Sequence, residues 1–512
     1  MRQSSPPSSP KTACGFLRLW EDSGGMATGV LTSLPGTPSL DQALSTLRRQ
    51  ERLLEAKLSD KLRVNSDLTR ALVSFQANRS ESEHRWYKYK EGFSASLVRY
   101  VLSKVGPQGG CLLDPFAGSG TALFCAHERG LRSVGIELLP IGIEIIEVRK
   151  LLLAADRENL AREITAFSER SPWRCTGPEK SFLHLRITAG AFPPETERDL
   201  ARYLHEAERV EDKLLARVLR FAALCVLEAV SFTRKDGQYL RWDSRSGRRA
   251  GAKPFHKGPI PSFTRAISEK LRQIAHDLSA DHLLFRNPTL ALPSAPIEIL
   301  RGSCLDILPT LAADSFDGII TSPPYCNRYD YTRTYALELA MLGVGEEQIG
   351  QLRQAMLTST VENREKESLG AKFPNDPLNR AREAVASQRV LCETLSFLER
   401  CKREGKLNNN GIPRMIRNYF LELAFAIFEC ARVLKPGAPF VMVNDNVRYQ
   451  GAHVPVDLIL SEIAEKAGLK VEAIWILPKG KGNSSQQMGL HGREELRKCV
   501  YVWSKPLGPS AR

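Results

Sequence analysis

The chain has 512 residues, enough for two or three domains around a sizeable core, and its formal net charge of +14 suits a polyanionic partner. No uninterrupted apolar run approaches the ~18 residues of a membrane helix, and Arg18 and Glu21 interrupt the early apolar stretch that a signal peptide would need. Eleven scattered cysteines without a CxxC pair argue against a zinc site or a disulfide framework and for a reducing cytosol.

Residues 1–38 are rich in Ser, Pro, Thr and Gly and are expected to be a disordered tail; Met26 reads as the more ordinary start, with residues 1–25 an upstream extension. Residues 39–80 form an N-terminal helical segment. Its helix, predicted over 39–63, carries Leu47, Leu54, Leu58 and Leu62 near one face and packs on its own domain in preference to a second copy. Next comes an aromatic and basic approach to another helix, Arg85-Trp86-Tyr87-Lys88-Tyr89-Lys90-Glu91-Gly92-Phe93-Ser94.

Cys111-Leu112-Leu113 is a short apolar strand that runs into Asp114-Pro115-Phe116-Ala117-Gly118-Ser119-Gly120-Thr121 and then a helical run to His127. Strand, glycine turn and helix make the first βα unit of a doubly wound sheet, and the glycines let the backbone approach a ligand closely. A second strand, Ser133 to Ile136, ends in Glu137, placed to accept both hydroxyls of an adenosine ribose.

Residues 151–295 read as an insertion. Helical patterns over Asp156–Phe167 and Glu195–Val230 precede a basic run with Arg234, Lys235, Arg241, Arg245, Arg248, Arg249, Lys253 and Lys257. Tyr239, Trp242 and Phe255 are interleaved among these cations, and Asp236 and Asp243 stand against them. Cations that neutralise phosphates and aromatics that lie beside bases make this run a candidate DNA contact, with Arg234, Lys235, Tyr239, Arg241, Trp242, Arg245, Arg248 and Arg249 as the contacting residues. The competing reading is a solvated loop with a buried Trp242.

The apolar strand Phe316 to Ile320 ends in Thr321-Ser322-Pro323-Pro324-Tyr325. The Ser322 hydroxyl and the Pro323 carbonyl are acceptors, both prolines have fixed φ, and Tyr325 offers a flat ring. That set suits the capture of an exocyclic amine on a flipped-out base. Residues 346–415 form a second helical insertion, with a charged helix predicted from Pro377 to Glu404. The last segment, 416–505, holds an amphipathic helix from Arg417 to Val433, its stop at Lys435-Pro436-Gly437, a strand Phe440–Val443 and a final strand Cys499–Trp503. The glycine-hinged loop from Gly480 to Met488 is positioned as a lid or as an ordinary solvent loop.

Asp114 to Thr121 together with Ser322 to Tyr325 resembles the amino-methylating DNA methyltransferases that use S-adenosylmethionine, and the Ser form of the four-residue motif is similar to their cytosine-N4 branch. The segment from Arg85 to Ser94 resembles the family element that closes over the methionine end of the cofactor. The resemblance covers about 81–150, 296–345 and 416–505. It implies an α/β fold, a Rossmann-like class I methyltransferase sheet with helices on both faces, interrupted by mostly helical insertions. The cofactor half is then 81–150 and the catalytic half 296–345, with C-terminal core strands in 416–505 and target recognition in one of the insertions.

By that match S-adenosylmethionine, without a metal, lies on Phe93, Ser94, Asp114, Pro115, Phe116, Gly118, Ser119, Gly120, Thr121 and Glu137. Ser322, Pro323, Pro324 and Tyr325 are the catalytic set. Transfer is direct, so no catalytic cysteine is needed and Cys326 is assigned to packing. The implied partners are double-stranded DNA and a cognate restriction endonuclease, in a monomer or dimer of the prokaryotic cytoplasm beside the nucleoid. Adenine-N6 and RNA-base methylation stay open beside it, as does a non-enzymatic DNA-binding protein on the same core. Two departures from the family pattern stand out. Gly302 is followed by Ser303 where the family often has Asp against the adenine amine, with Asp306 three residues later. More chain also separates Asp114 from Ser322 than two or three βα units need.

Overall fold

A computed structural model describes residues 39–236, 239–248, 254–284, 295–366, 369, 376–478 and 496–508. The tail 1–38, Arg249, Lys253 and the loop from Gly480 to Met488 lie outside these residues. The centre is an eight-stranded sheet. In chain order its strands are β1 (Leu62–Val64), β2 (Cys111–Asp114), β3 (Arg132–Glu137), β6 (Ile297–Arg301), β7 (Gly318–Thr321), β8 (Pro439–Asp445), β11 (Lys470–Ile476) and β12 (Lys498–Ser504). The spatial order is β1-β11-β12-β8-β7-β2-β3-β6, with β12 antiparallel to both of its neighbours and every other pairing parallel. This is the expected Rossmann-like methyltransferase sheet.

Alternation along the central strands sets the two faces. Leu113, Ile319, Phe440 and Met442 point into one core, while Leu112, Ile320, Val441 and Val443 point into the other. Both faces are covered, so these strands are apolar throughout, as buried parallel strands must be. The first core is filled by helices α1 (Leu40–Lys57), α10 (Asp376–Ala386), α11 (Arg389–Arg403), α12 (Ile412–Val433) and α13 (Val456–Lys466). The second is filled by α2 (Ala95–Val105) and α3 (Thr121–Glu128). Helix α1 opens on a capping box in which Ser39 and Gln42 satisfy each other's backbone N–H, and it buries Leu47 and Leu54 against its own domain, as expected.

Local capping chemistry explains four boundary differences. The N-terminal helix stops at Lys57, and a turn at Leu58–Lys61 frees Leu62 to start β1, an edge strand paired with β11. The pattern from Glu195 to Val230 is two helices, α6 (Pro194–Glu208) and α7 (Lys213–Val230), because the Asp212 carboxylate accepts the Leu215 N–H at 2.9 Å and starts a new one. Gln388 does the same between α10 and α11, accepting the Leu391 N–H at 2.7 Å. Helix α12 begins at Ile412 rather than Arg417, with Pro413 in its first turn, where a missing N–H costs nothing.

The insertion after α4 (Pro140–Leu153) contributes α5 (Arg157–Arg170), α6, α7 and α8 (Phe263–Leu284) around a core of Trp173, Tyr203, Phe221 and Phe263. Its basic run is a hairpin of β4 (Thr233–Asp236) and β5 (Tyr239–Trp242). Strand alternation sends Thr233 and Lys235 inward and Arg234 and Asp236 outward.

Two expected DNA contacts are therefore corrected. Lys235 is buried, with its ammonium 2.6 Å from the Glu338 carboxylate and 3.0 Å from the Tyr87 hydroxyl. Trp242 is 7% exposed and lies under the Arg248 guanidinium, 4.1 Å from the ring centroid. Arg234, Arg245 and Arg248 are exposed and Arg241 is half-buried; Arg241 stacks on Phe255 at 4.2 Å, and Asp243 holds Arg245 through two hydrogen bonds of 2.8 Å. Lys257 is drawn inward to cap the last carbonyls of α7, and burial lowers its ammonium to about 8.

The Lys235–Glu338 pair has side-chain exposures of 3% and 1%. Removing one partner strands the other charge out of water, whereas replacing both with apolar groups restores packing. In urea unfolding, Glu338→Ala is expected to cost about 3–5 kcal/mol, and Lys235→Met with Glu338→Leu is expected to fall within about 1 kcal/mol of the parent or above it. Equal losses in the single and double variants would contradict the pairing.

Candidate active site

In this sheet β2 sits between β3 and β7, and the chain winds away from it in both directions. Such a reversal opens a crevice at the carboxyl ends of the strands. Loops following β2, β3, β6 and β7 all line one cavity there: Pro115 to Ser119, Leu138 and Leu139, Gly302 to Cys304, and Ser322 with Pro324. The glycine motif and the Ser-Pro-Pro-Tyr motif are brought together across the β2–β7 pairing. The Thr321 hydroxyl donates to Asp114 Oδ1 at 2.6 Å with both side chains fully buried, and the Phe116 N–H donates to the same oxygen at 3.1 Å.

Glu137 is the second anchor. Its Oε2 accepts the Gly118 N–H and its Oε1 the Leu139 N–H, each at 2.7 Å. Each oxygen has one further lone pair for a ligand hydroxyl. Gly118 has φ +54°, and a Cβ there would lie 3.2 Å from the Tyr89 ring, so glycine is required for the turn. Gly142 lets α4 approach: a Cβ would meet the Gly118 carbonyl at 2.6 Å.

Tyr89, Glu91, Phe93 and Tyr331 close the cavity opposite the sheet. Glu91 accepts hydrogen bonds from the hydroxyls of Tyr329 and Tyr335, and Tyr335 stacks on Tyr89 with ring centroids 5.1 Å apart. The charged side chains lining the cavity are Glu91 and Glu137, and no Lys or Arg among the described residues lines it. Asp114 Oδ2, just beneath, is buried and has no hydrogen-bond partner. A pocket so charged repels phosphates and favours a cationic nucleoside.

A family model described as DNA methylase matches residues 20–148. The chain is 50% identical over 467 residues to the Type II methyltransferase M.AvaI of Nostoc sp., covering 91% of this chain and 95% of that one. It is 41% identical over 478 residues to the Type II methyltransferase M.BsoBI of Geobacillus stearothermophilus, covering 89% and 92%. The chain belongs to the amino-methylating DNA methyltransferases of the N4/N6 family. A shorter match, 38% over 95 residues, reaches the Type II methyltransferase M.MjaII of Methanocaldococcus jannaschii. No solved structure matches. As a member of this family the methyltransferase acts on DNA with S-adenosylmethionine as methyl donor, and no helix among its described residues is long and apolar enough to cross a membrane.

The residues present fit that donor. Two ribose hydroxyls match the open lone pairs of Glu137, Phe93 and Phe116 are apolar walls, and the carboxylates of Glu91 and Glu137 in the lining suit a sulfonium. Of the residues expected to hold it, Pro115, Phe116, Gly118, Ser119, Thr121, Glu137 and Phe93 line the cavity. Ser94, Gly120 and Asp114 act from behind the wall. The Ser94 hydroxyl caps α2, accepting the Leu97 N–H at 3.0 Å and donating to the Leu72 carbonyl. Gly120, at φ +75°, starts α3 beside Ile146. Ser322 and Pro324 face the cavity; Pro323 is buried, and the partly buried Tyr325 holds its hydroxyl 3.3 Å from Ser322 Oγ.

Sequence reasoning did not single out Tyr89, Glu91 or Tyr331. Glu91 stood inside the aromatic segment, and an acid following Tyr87 and Tyr89 just before Gly92 was the available signal. Ser303, where the family often has Asp, gives its hydroxyl at 2.7 Å to the carbonyl of Ala355, the last residue of α9 (Glu346–Ala355). His84, Cys125 and Glu128 also converge, but each is already engaged, the Cys125 thiol by the Ala95 carbonyl at 3.7 Å. An Arg149 guanidinium nitrogen lies 3.1 Å from His84 Nε2, and Arg99 holds Glu128 through bonds of 2.8 and 3.0 Å.

Burial raises both Asp114 and Glu137 to about 7 from ordinary values of 3.8 and 4.5. The folded protein then keeps protons that the unfolded chain has shed, so these groups lose folding stability as pH rises from about 4.5 to 7. Ribose hydroxyls donating to Glu137 favour its anion, so affinity for the cofactor should rise from about pH 6 to 8. Glu137→Gln should weaken binding roughly 10- to 100-fold and flatten that slope, a hydrogen bond to a charged group contributing about 1.5–3 kcal/mol. Calorimetric titration of S-adenosylmethionine across this range checks it; an unchanged slope in the variant would exclude Glu137 as its source.

Proposed function

We propose that this methyltransferase modifies the exocyclic N4 amine of cytosine in DNA and serves a Type II restriction-modification system. The observation that carries the reading is Ser322 at the first motif position, on the cavity wall at the carboxyl end of β7. Its Oγ lies 3.3 Å from the Val443 carbonyl. With its hydrogen directed there, the hydroxyl keeps lone pairs for an N–H of the incoming amine, and the Pro323 carbonyl supplies a second acceptor. The bound cofactor supplies an electrophilic methyl group on a sulfonium. The protein's part is alignment: the flipped base rests on Tyr325 while Ser322 and Pro323 aim the nitrogen lone pair across the cavity.

No covalent adduct with the base is required. Cys326 fits a packing role, since it is fully buried, burial pushes its thiol up, and its carbonyl accepts the Tyr449 hydroxyl at 2.7 Å. The exposed Arg234, Arg245 and Arg248, with the half-buried Arg241, are offered to the duplex backbone, and the 151–295 and 346–415 insertions to target recognition. A cognate endonuclease would be blocked by the same modification.

Nucleoside mass spectrometry on DNA from a host expressing the protein should show N4-methylcytosine, and the Ser322→Ala, Tyr325→Ala double variant should abolish it. N6-methyladenine in its place would refute the cytosine assignment while leaving the family intact.

A further inference from the structure

A second cavity, of about 310 Å³, lies beyond the carboxyl end of β8 and beside the amino end of β12. Arg48 and Glu51 of α1 form one side, Arg448 and His453 the other, and Leu496, just ahead of β12, a third. Arg448 and His453 belong to a hairpin of β9 (Val447–Tyr449) and β10 (Ala452–Val454), turned through Gln450 and Gly451 at φ +49° and +78°. They are directly opposed across the two strands, so their side chains share a face.

The cavity is basic. Glu51 pairs with His453 Nδ1, and His453 Nε2 is buried without a hydrogen-bond partner. Arg448 is 6% exposed, and burial, followed by the like charge of Arg48, weakens its hold on its proton. Arg48 and Arg448 bring two guanidinium groups to one cavity, where the Glu51 carboxylate offsets part of their charge. Arg49 and Arg52, exposed on the same helix, extend the positive surface past the rim.

The position relates this cavity to the chemistry. The hairpin starts directly after Asn446, which follows β8, and the Tyr449 hydroxyl is bonded to the Cys326 carbonyl next to Tyr325. Whatever the hairpin grips is thereby fixed relative to the loop carrying Ser322 and Tyr325.

We propose that Arg48 and Arg448, with His453, clamp a phosphodiester of the DNA backbone close to the target nucleotide. Guanidinium groups converging on one site suit phosphate oxygens, and a backbone contact fixes register without reading sequence. The extension of charge along α1 favours a polymer over a free anion. The inference rests on the chain acting on DNA and is independent of which base is methylated.

Arg48→Met, Arg48→Glu and Arg448→Met are tested for binding of a mixed-sequence duplex by fluorescence anisotropy over a salt series, and for the Michaelis constant on unmethylated genomic DNA. Loss of one phosphate contact should reduce the slope of log K against log salt by about 0.9 in the Met variants. The Michaelis constant for DNA should rise about tenfold, a shift of about 1.4 kcal/mol, with affinity for S-adenosylmethionine unchanged. Arg48→Glu should weaken DNA binding further. Should Arg448→Met fail to bind cofactor, and so be misfolded, the two Arg48 variants on exposed helix surface decide the matter. An unaltered salt slope and Michaelis constant would overturn the proposal. Calorimetric binding of inorganic phosphate lost in the variants, with DNA binding unaltered, would overturn it in favour of a free-anion site.

Discussion

One buried hydrogen bond ties together the starts of the two motif loops: the Thr321 hydroxyl on Asp114 Oδ1, at 2.6 Å between adjacent parallel strands. Its partners come from distant parts of the chain, yet each is the last residue of its strand. The bond fixes how far β2 and β7 run before they diverge, and so where the glycine turn and the Ser-Pro-Pro-Tyr turn begin. An unpaired carboxylate oxygen at this depth is costly. Asp114 keeps one, Oδ2, and the protein tolerates that cost beneath a pocket suited to a cationic ligand.

The insertion also supports the cofactor cavity. Asp277 of α8 accepts Arg85 Nε at 3.0 Å and Trp86 Nε1 at 2.7 Å, and Lys270 donates to the Trp86 carbonyl at 2.7 Å. Lys235 reaches Tyr87, and Lys90 reaches back to the Lys235 carbonyl at 2.6 Å. Five contacts, on Arg85, Trp86, Tyr87 and Lys90, thus fasten the segment that ends in Tyr89, Glu91 and Phe93, the outer wall of the cofactor cavity. The hairpin that composition suggested for DNA spends its buried half on this fastening.

Most of the core was legible in the sequence because its determinants are local. The run Cys111–Leu113 before a glycine turn, the acid at Glu137 and the apolar strand before Ser322 each carry their own signal, and each lies where that signal places it. The basic run misled because composition cannot separate the two faces of a hairpin: Lys235 and Arg234 are one residue apart and point in opposite directions. Partners such as Glu338 and Asp277 are fixed by tertiary packing and leave no spacing in the chain. Helix breaks at Asp212 and Gln388 were hidden because hydrophobic periodicity continues across them, and only the caps reveal the interruption. Ser94 illustrates the converse: a serine ahead of a helix is first a cap, and its hydroxyl is used up there.

The grip of α8 on the aromatic segment bears on how such enzymes can be remodelled. Residues 151–295 look like a detachable cassette, since their own helices make most of the core around them. Yet Asp277, Lys270 and Lys235 within that cassette hold the far wall of the cofactor cavity. Exchanging the cassette between relatives to alter how DNA is met would carry donor affinity along with it. The unit of modular exchange in this protein therefore includes the strip from Arg85 to Phe93, although nearly two hundred residues of chain lie between that strip and its anchor in α8.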